Sequence, residues 1–166
     1  VVNFGETTKY PRSMAELYNA VFPEAGWIMH SRRVWHKSWP LVKFSPSGIH
    51  HTIPAAEFEH IWAFRKPPNS KEDKRDTKLS AHGVWTAEGK APPHHPCSFP
   101  VDLCRKVITL WSDPGDLVVD PMMGSGAVLA ACAELGRRGV GIEQNPRYVQ
   151  SAVKWLNDEV LEGLTK

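Results

Sequence analysis

Cysteine is scarce in this chain: Cys97, Cys104 and Cys132 are all it has in 166 residues. Three thiols are too few, and odd in number, for a disulfide framework, which points to a reducing compartment, the cytoplasm. His94, His95, Cys97 and Cys104 lie close together, but no CxxC pairing is present and Pro96 stiffens the turn, so no metal centre is expected. Long apolar runs are missing too. Nothing approaches the roughly 20 residues of a membrane helix, and the start lacks the basic-then-apolar layout of a secretory leader. No membrane partner is expected. Charge of one sign is also absent: 20 Lys and Arg against 18 Asp and Glu leave a net +2. Any nucleic-acid contact must therefore come from local clusters. There is no initiating methionine, and a chain that opens Val1-Val2-Asn3-Phe4 reads as part of something longer.

What is present suits one globular domain, with 42% hydrophobic and 23% charged residues. Residues 1–4 read as a short buried strand. Ser13 can cap a helix carrying Met14, Leu17, Tyr18 and Val21 on one stripe, stopped by Pro23. A second strand opens at Gly26 and runs towards Trp39, with its arginines marking a wet face. Residues 40–56 read as loop, residues 57–65 as an alternating strand with at least one buried face, and residues 66–78 as a polar, charged stretch. Residues 79–97 are mostly irregular.

From residue 100 the pattern sharpens. Pro100 opens a helix whose Leu103, Val107, Leu110 and Trp111 share a face, and Asp113-Pro114-Gly115-Asp116 is a turn. Leu117-Val118-Val119 is a buried strand ending in Asp120. A glycine-rich turn then leads into an alanine-rich helix over 127–135, with Gly136 at its cap. Val140-Gly141-Ile142 is the next strand, ending in Glu143. Asn145 caps a last helix with Pro146 in its first turn and Val149, Val153, Leu156 and Val160 along its apolar stripe.

Strand, Asp-Pro-x-x-Gly-x-Gly, helix, strand and acidic residue together make a nucleoside-cofactor half-fold, and in open parallel sheets ligands sit beyond the carboxyl ends of the strands. Gly124 and Gly126 let the backbone approach a ligand, and the helix start beyond them offers free N–H groups. Glu143 stands 17 residues beyond Gly126, where a carboxylate suits the two hydroxyls of a ribose. A dinucleotide fingerprint would need a third glycine, and a P-loop would need Gly-Lys-Ser/Thr; neither is present. A carboxylate at Asp120 suits an ammonium group better than a pyrophosphate. The cofactor with an ammonium and a ribose but no phosphate is S-adenosylmethionine. The plainer alternative is a tight strand-to-helix turn with no ligand, against which the Glu143 spacing argues independently.

His95-Pro96-x-x-Phe99-Pro100, Ser112-Asp113-Pro114-Gly115-Asp116, Asp120-Pro121-x-x-Gly124-Ser125-Gly126 and Gly141-Ile142-Glu143-x-Asn145-Pro146-x-Tyr148 follow one another in this order. The set closely resembles the circularly permuted β-group of S-adenosylmethionine-dependent DNA amino-methyltransferases, which modify the exocyclic nitrogen of adenine or cytosine. The match is dense over residues 94–157. Upstream, Gly26-Trp27, Val34-Trp35-x-Lys37, Glu59-His60-Ile61 and Phe64-Arg65-Lys66 resemble, more loosely, the strands before that family's recognition segment. The resemblance implies an α/β, Rossmann-like methyltransferase fold, a mostly parallel sheet with helices on both faces. It implies one domain over 1–166, with residues 30–90 on the target-recognition side and residues 94–160 as the cofactor-binding half. Asp120 and the turn Gly124, Ser125 and Gly126 would cradle the methionine end of S-adenosylmethionine, Glu143 would bind the ribose, Pro121, Met122 and Asn145 would complete the cofactor-binding set, and His95, Phe99 and Pro100 would belong to the cofactor-contacting segment. Met122 stands where the family usually has phenylalanine, and Ala127 where it usually has threonine.

One family element is absent from the chain. The catalytic Asp/Ser/Asn-Pro-Pro-aromatic loop, which accepts the amino hydrogens and stacks the flipped base, does not occur, and Lys66-Pro67-Pro68-Asn69 has neither the acceptor nor the aromatic. No catalytic residue is assigned. In the permuted order this loop belongs before residues 1–4, and its strand between those at 1–4 and 117–120. Without it a gap of about 4.8 Å on each side would open, and each buried unpaired backbone group there would cost roughly 1–3 kcal/mol. The expectation is an upstream segment or a second chain that supplies the loop.

The DNA-contacting patch is expected at Arg32, Arg33, His36 and Lys37, interleaved with Trp35 and Trp39, with Lys66 added to it. Lys66, Lys71, Lys74, Arg75 and Lys78 either track a phosphate backbone or form a solvated loop of mixed sign, since Glu72, Asp73 and Asp76 interrupt them. Arg137 and Arg138 read as helix-end charges. Glu57 and Glu59 are not expected to be a catalytic pair. Two other functions fit the same residues: a remnant or partner subunit that binds cofactor or DNA without catalysis, and a methyltransferase acting on RNA or a small molecule.

Overall fold

The computed structural model describes residues 2–3, 14–37, 58–67, 77–89, 91–92, 95 and 98–164. The chain divides into two units, residues 1–72 with 81–87 and residues 73–80 with 88–166. One boundary falls at 87/88.

The first unit holds β1 (Val2–Asn3), α1 (Met14–Glu24), β2 (Ile28–His36) and β3 (Phe58–Arg65); the short α2 (Thr77–Ala81) precedes its last strand, β4 (Val84–Thr86). Helix α1 runs past the stop expected at Pro23. A proline in the last turn sacrifices a single backbone hydrogen bond, so it does not end the helix. Gly26 does. At φ +79° it donates to the Pro23 carbonyl at 2.9 Å while Trp27 N–H reaches the Phe22 carbonyl at 2.9 Å, the paired bonds of a left-handed glycine cap. Strand β2 accordingly starts at Ile28 rather than at the glycine.

The sheet order is β1-β3-β2-β4. Strands β1 and β2 flank β3 in antiparallel ladders, with Val2 opposite Trp62 and His36 opposite Phe58, and β2 pairs with β4 in parallel. This sheet is therefore mixed, where a mostly parallel one is expected. Neighbours such as β2 and β3 can pair by a simple return of the chain, whereas the parallel β2–β4 pair is reached by a crossover through β3 and α2. The central β3 is buried on both faces at Ile61, Trp62 and Ala63. Burying Ile61 or Trp62 stabilises the unit by roughly 1.5–3 kcal/mol each. Helix α1 adds Phe22, which stacks on Phe64 at 4.5 Å and meets Trp27 edge-on at 6.2 Å.

The second unit comprises α3 (Val101–Trp111), β5 (Leu117–Asp120), α4 (Ala127–Glu134), β6 (Arg138–Gly141), α5 (Pro146–Trp155), a π-helical turn (Leu156–Leu161) and α6 (Glu162–Leu164). Here the expected parallel arrangement is found, with Leu117 opposite Arg138 and Asp120 opposite Gly141. The core joins Cys104 and Ile108 of α3 to Ala127, Ala131 and Cys132 of α4, with Phe99, Val118 and Val128 packed against it. Alanines let α4 come close to its neighbours, and so do the glycines of β6. A Cβ on Gly139 would lie 2.8 Å from Leu129, and one on Gly141 would strike the Met123 sulfur. The opposite face of this pair carries no helix among the described residues: Leu117, Val119 and Val140 are about half exposed.

Two polar ties close the unit. Arg105 and Glu134 form a two-armed ion pair between α3 and α4. Arg137 donates to the Ser112 carbonyl at 2.8 Å, to Ser112 Oγ at 3.1 Å and to the Leu135 carbonyl at 2.5 Å, clamping the ends of both helices. Its helix-end position thus serves specific carbonyls as well as the dipole.

Candidate functional site

The glycine-rich turn begins where β5 ends. Asp120 Oδ1 accepts from Met122 N–H at 3.1 Å, which bends the chain away from the strand. The Asp120 carbonyl accepts from Ile142 N–H, and the Ile142 carbonyl from Met123 N–H, both at 2.9 Å. The turn is thereby stitched to the extension of β6. Met123, Gly124, Ser125 and Gly126 are buried, while Met122 is 73% exposed. Gly124 (φ +49°) and Gly126 (φ +80°) adopt the left-handed backbone that glycine favours.

Glu143 ties the site together. Its Oε2 accepts from Gly124 N–H at 3.1 Å and its Oε1 from Asn145 N–H at 2.9 Å. The spacing that marked this residue as a ligand for a diol also makes it the post on which the turn hangs. Each carboxylate oxygen has a second lone pair, so ribose hydroxyls can still be received. Asn145 uses its own side chain as the cap of α5, accepting from Arg147 N–H at 3.0 Å. Asn145 therefore shapes the site through the helix start.

Asp120 is a carboxylate under pressure. Burial pushes its pKa above the ordinary value and the neighbouring Glu143 carboxylate adds to the rise, against the Met122 N–H, which lowers it. Two carboxylates sharing one cradle form a place for a cation-bearing ligand.

His95 lies on the turn, its imidazole so close that a Cβ on Gly124 would sit 3.3 Å from both Cε1 and Nε2. The ring meets Tyr148 of α5 edge-on, with centroids 4.4 Å apart. Ser98 Oγ faces the His95 carbonyl at 3.1 Å and the Pro92 carbonyl at 2.8 Å. Phe99 packs on the α3–α4 core, and Pro100 is buried at the start of α3, its carbonyl accepting from Leu103 and Cys104 N–H. Residues 120–126, Glu143 and His95 thus come together, whereas Phe99 and Pro100 hold the segment from behind. Two residues of the site had no role assigned from the sequence: Met123, whose sulfur fills the space above Gly141, and Tyr148. For Tyr148, an aromatic three residues after a helix cap was the available signal.

Of the four residues weighed for a metal, His94 and Cys97 lie outside the described residues, His95 lies on the glycine turn and Cys104 is in the core. Burial pushes the Cys104 thiol up to about 12, so it is not a thiolate near neutrality.

In the first unit the strand's period of two splits the basic-aromatic patch. Arg32 and His36 are exposed; Arg33 and Trp35 are buried. The Arg33 guanidinium lies over Trp85 at 5.7 Å and donates to the Arg32 carbonyl at 3.0 Å, so its charge serves the interior. Lys37 pairs with Glu59 and lies over Trp35 at 5.4 Å. Lys66 is exposed, over Trp27 at 5.9 Å. Lys78 is exposed on α2, while Trp39, Lys71, Lys74, Arg75 and Glu57 lie outside the described residues.

The model of the DNA methylase family matches residues 1–154. The chain belongs to that family. The chain is similar to the type II methyltransferase M.Cfr9I of Citrobacter freundii, 32% identical over 144 residues, which cover 82% of this chain and 47% of the relative. It is also similar to the type II methyltransferase M.BglI of Bacillus subtilis, 30% identical over 138 residues, 79% of this chain and 39% of the relative. Among solved structures, a Thermus thermophilus protein described as a DNA modification methylase, complexed with S-adenosyl-L-methionine, superposes with a TM-score of 0.67 at 25% identity; the match covers 96% of this chain and 67% of that one. The chain has the Rossmann-like α/β fold of these proteins. It spans less than half the length of the curated relatives it matches. No helix among the described residues is long and apolar enough to cross a membrane.

Proposed function

We propose that this chain is the S-adenosylmethionine-binding and recognition-side part of a DNA amino-methyltransferase, which transfers a methyl group to the exocyclic nitrogen of adenine or cytosine in duplex DNA. The observation that carries the reading is the Glu143 bridge between Gly124 and Asn145, which places a second carboxylate beside Asp120 on a buried glycine turn. The donor set fits the cofactor. Asp120, held above its ordinary pKa, gains an ammonium partner, and Glu143 keeps lone pairs for two hydroxyls. His95 lies against Gly124 where the methionine end would lie, and Met122 stands exposed at the rim. The bound cofactor supplies an electrophilic sulfonium methyl.

Such a transfer needs no metal, and positioning supplies most of the acceleration. The chain's share is to hold the donor still. The groups that accept the amino hydrogens are on the Asp/Ser/Asn-Pro-Pro-aromatic loop, which is absent from these residues; an upstream segment or a second chain contributes it. DNA contact falls to Arg32, His36 and Lys66, which face solvent, and only secondarily to Lys37, which is engaged with Glu59.

The test is label transfer from methyl-labelled cofactor by the whole methylase to unmethylated duplex DNA, RNA and free nucleosides. Labelling of exocyclic amines in the duplex is expected. Label in RNA or nucleosides alone would refute the substrate, and cofactor binding without transfer to any of them would favour the non-catalytic subunit.

A further inference from the structure

The cofactor turn is gripped from two sides, by a carboxylate and by an aromatic ring. On one side Glu143 grips Gly124 and Asn145. On the other the imidazole of His95 covers Gly124, in the space that any side chain at that position would need. Tyr148 meets that ring edge-on, at 67° with centroids 4.4 Å apart. Tyr148 is itself fixed, because it sits in the first turn of α5 with its N–H bonded to the Asn145 carbonyl at 3.0 Å. Asn145 caps that helix and donates its own N–H to Glu143. Gly124, Glu143, Asn145, Tyr148 and His95 thus form a closed ring of contacts around the turn.

We propose that Tyr148 is a positioning residue of the cofactor site: its ring sets the imidazole of His95 on Gly124, and so sets the turn that receives S-adenosylmethionine. The proposal rests on the cofactor reading above and extends it to a residue outside the assigned contact set. Its contact is ring on ring, so the aromatic face and edge act and the hydroxyl does not. An edge-to-face aromatic pair has a worth that corresponds to roughly two- to tenfold in a binding constant. Tyr148 is only half-buried, so its loss should be read in binding rather than in folding.

The experiment measures S-adenosylmethionine binding by calorimetry, and KM and kcat for methyl transfer, on the whole methylase and its Tyr148→Leu, Tyr148→Phe, His95→Ala and double Tyr148→Leu/His95→Ala forms. Tyr148→Leu should weaken binding and raise KM for the cofactor by about two- to tenfold, with kcat at saturating cofactor and Tm unchanged. Tyr148→Phe should restore wild-type affinity. The double form should bind no more weakly than His95→Ala, since Tyr148 acts through that ring. Wild-type protein that fails to bind the cofactor would overturn the cofactor reading itself. Wild-type binding with an unaffected Tyr148→Leu form, with losses that multiply in the double form, or with a Tm lowered by many degrees would overturn the Tyr148 proposal alone.

Discussion

Replacing Glu143 by glutamine changes one oxygen into an amide nitrogen, and the structure says what that nitrogen would face. Both carboxylate oxygens accept backbone N–H groups, at 3.1 Å from Gly124 and 2.9 Å from Asn145. Glutamine can serve one of them. Whichever way the amide turns, its own NH2 points at the other N–H, donor against donor. A hydrogen bond to a charged group contributes roughly 1.5–3 kcal/mol, and partial exposure places this one at the low end, about 1–2 kcal/mol. For a domain of this size that is a fall in Tm of about 2–8 °C. Binding should suffer more, because the ribose loses one charged acceptor while the turn that receives the methionine end loosens, so Kd for S-adenosylmethionine should rise at least about tenfold. Scanning calorimetry and titration calorimetry on Glu143→Gln, with Glu143→Asp as the shortened but charged control, separate the two effects. A Glu143→Gln protein that melts and binds like wild type would refute the reasoning. One that melts lower but binds normally would leave Glu143 as a structural post and remove its role with the ribose.

Asp120→Asn should stabilise the chain at neutral pH while abolishing cofactor binding. The Asp120 pKa is raised in the folded chain, so as pH climbs past the ordinary carboxylate value the unfolded chain ionises first, and stability falls until the folded pKa is passed. Melting curves against pH should show wild type losing Tm over that range and Asp120→Asn losing less; parallel profiles would contradict it. Gly139→Ala should destabilise by about 1–3 kcal/mol, because its Cβ would stand 2.8 Å from Leu129, and an unchanged denaturation midpoint would show that α4 moves freely on β6. Arg32→Ala should weaken duplex binding and flatten its salt dependence, whereas Arg33→Ala should lower Tm with the salt slope kept. The reverse pattern, measured by anisotropy at several salt concentrations, would put Arg33 on the DNA.

The cofactor half was legible because its signals are local. Asp120, the two glycines, Asn145 and Pro146 each dictate a backbone event within a few residues, and those events are found where the spacing put them. Pairing partners were less legible. Nothing local in residues 28–36 distinguishes an antiparallel neighbour from a parallel one, and a sheet expected to be mostly parallel is mixed in its first unit. Pro23 misled because a proline's cost depends on how many turns follow it. Arg33 misled because composition carries no face. One residue's difference in a strand turns a charge from solvent to Trp85. Glu143 is singled out by its spacing, but its double grip on backbone N–H groups is not visible in the sequence, since those donors are 19 residues back at Gly124 and two ahead at Asn145.

The bare face of β5–β6 has a practical side. Leu117, Val119, Val140 and Ile142 stand about half exposed, beside strands that have one ladder each among the described residues. A short apolar ribbon with open edges is a template for strand addition by another molecule. Handled at high concentration without whatever shields that ribbon, this stretch of polypeptide should self-associate, and salt should do little to prevent it, because the attraction is apolar and high salt screens only charges. Light scattering during purification will register that colloidal behaviour before any enzymatic assay is run.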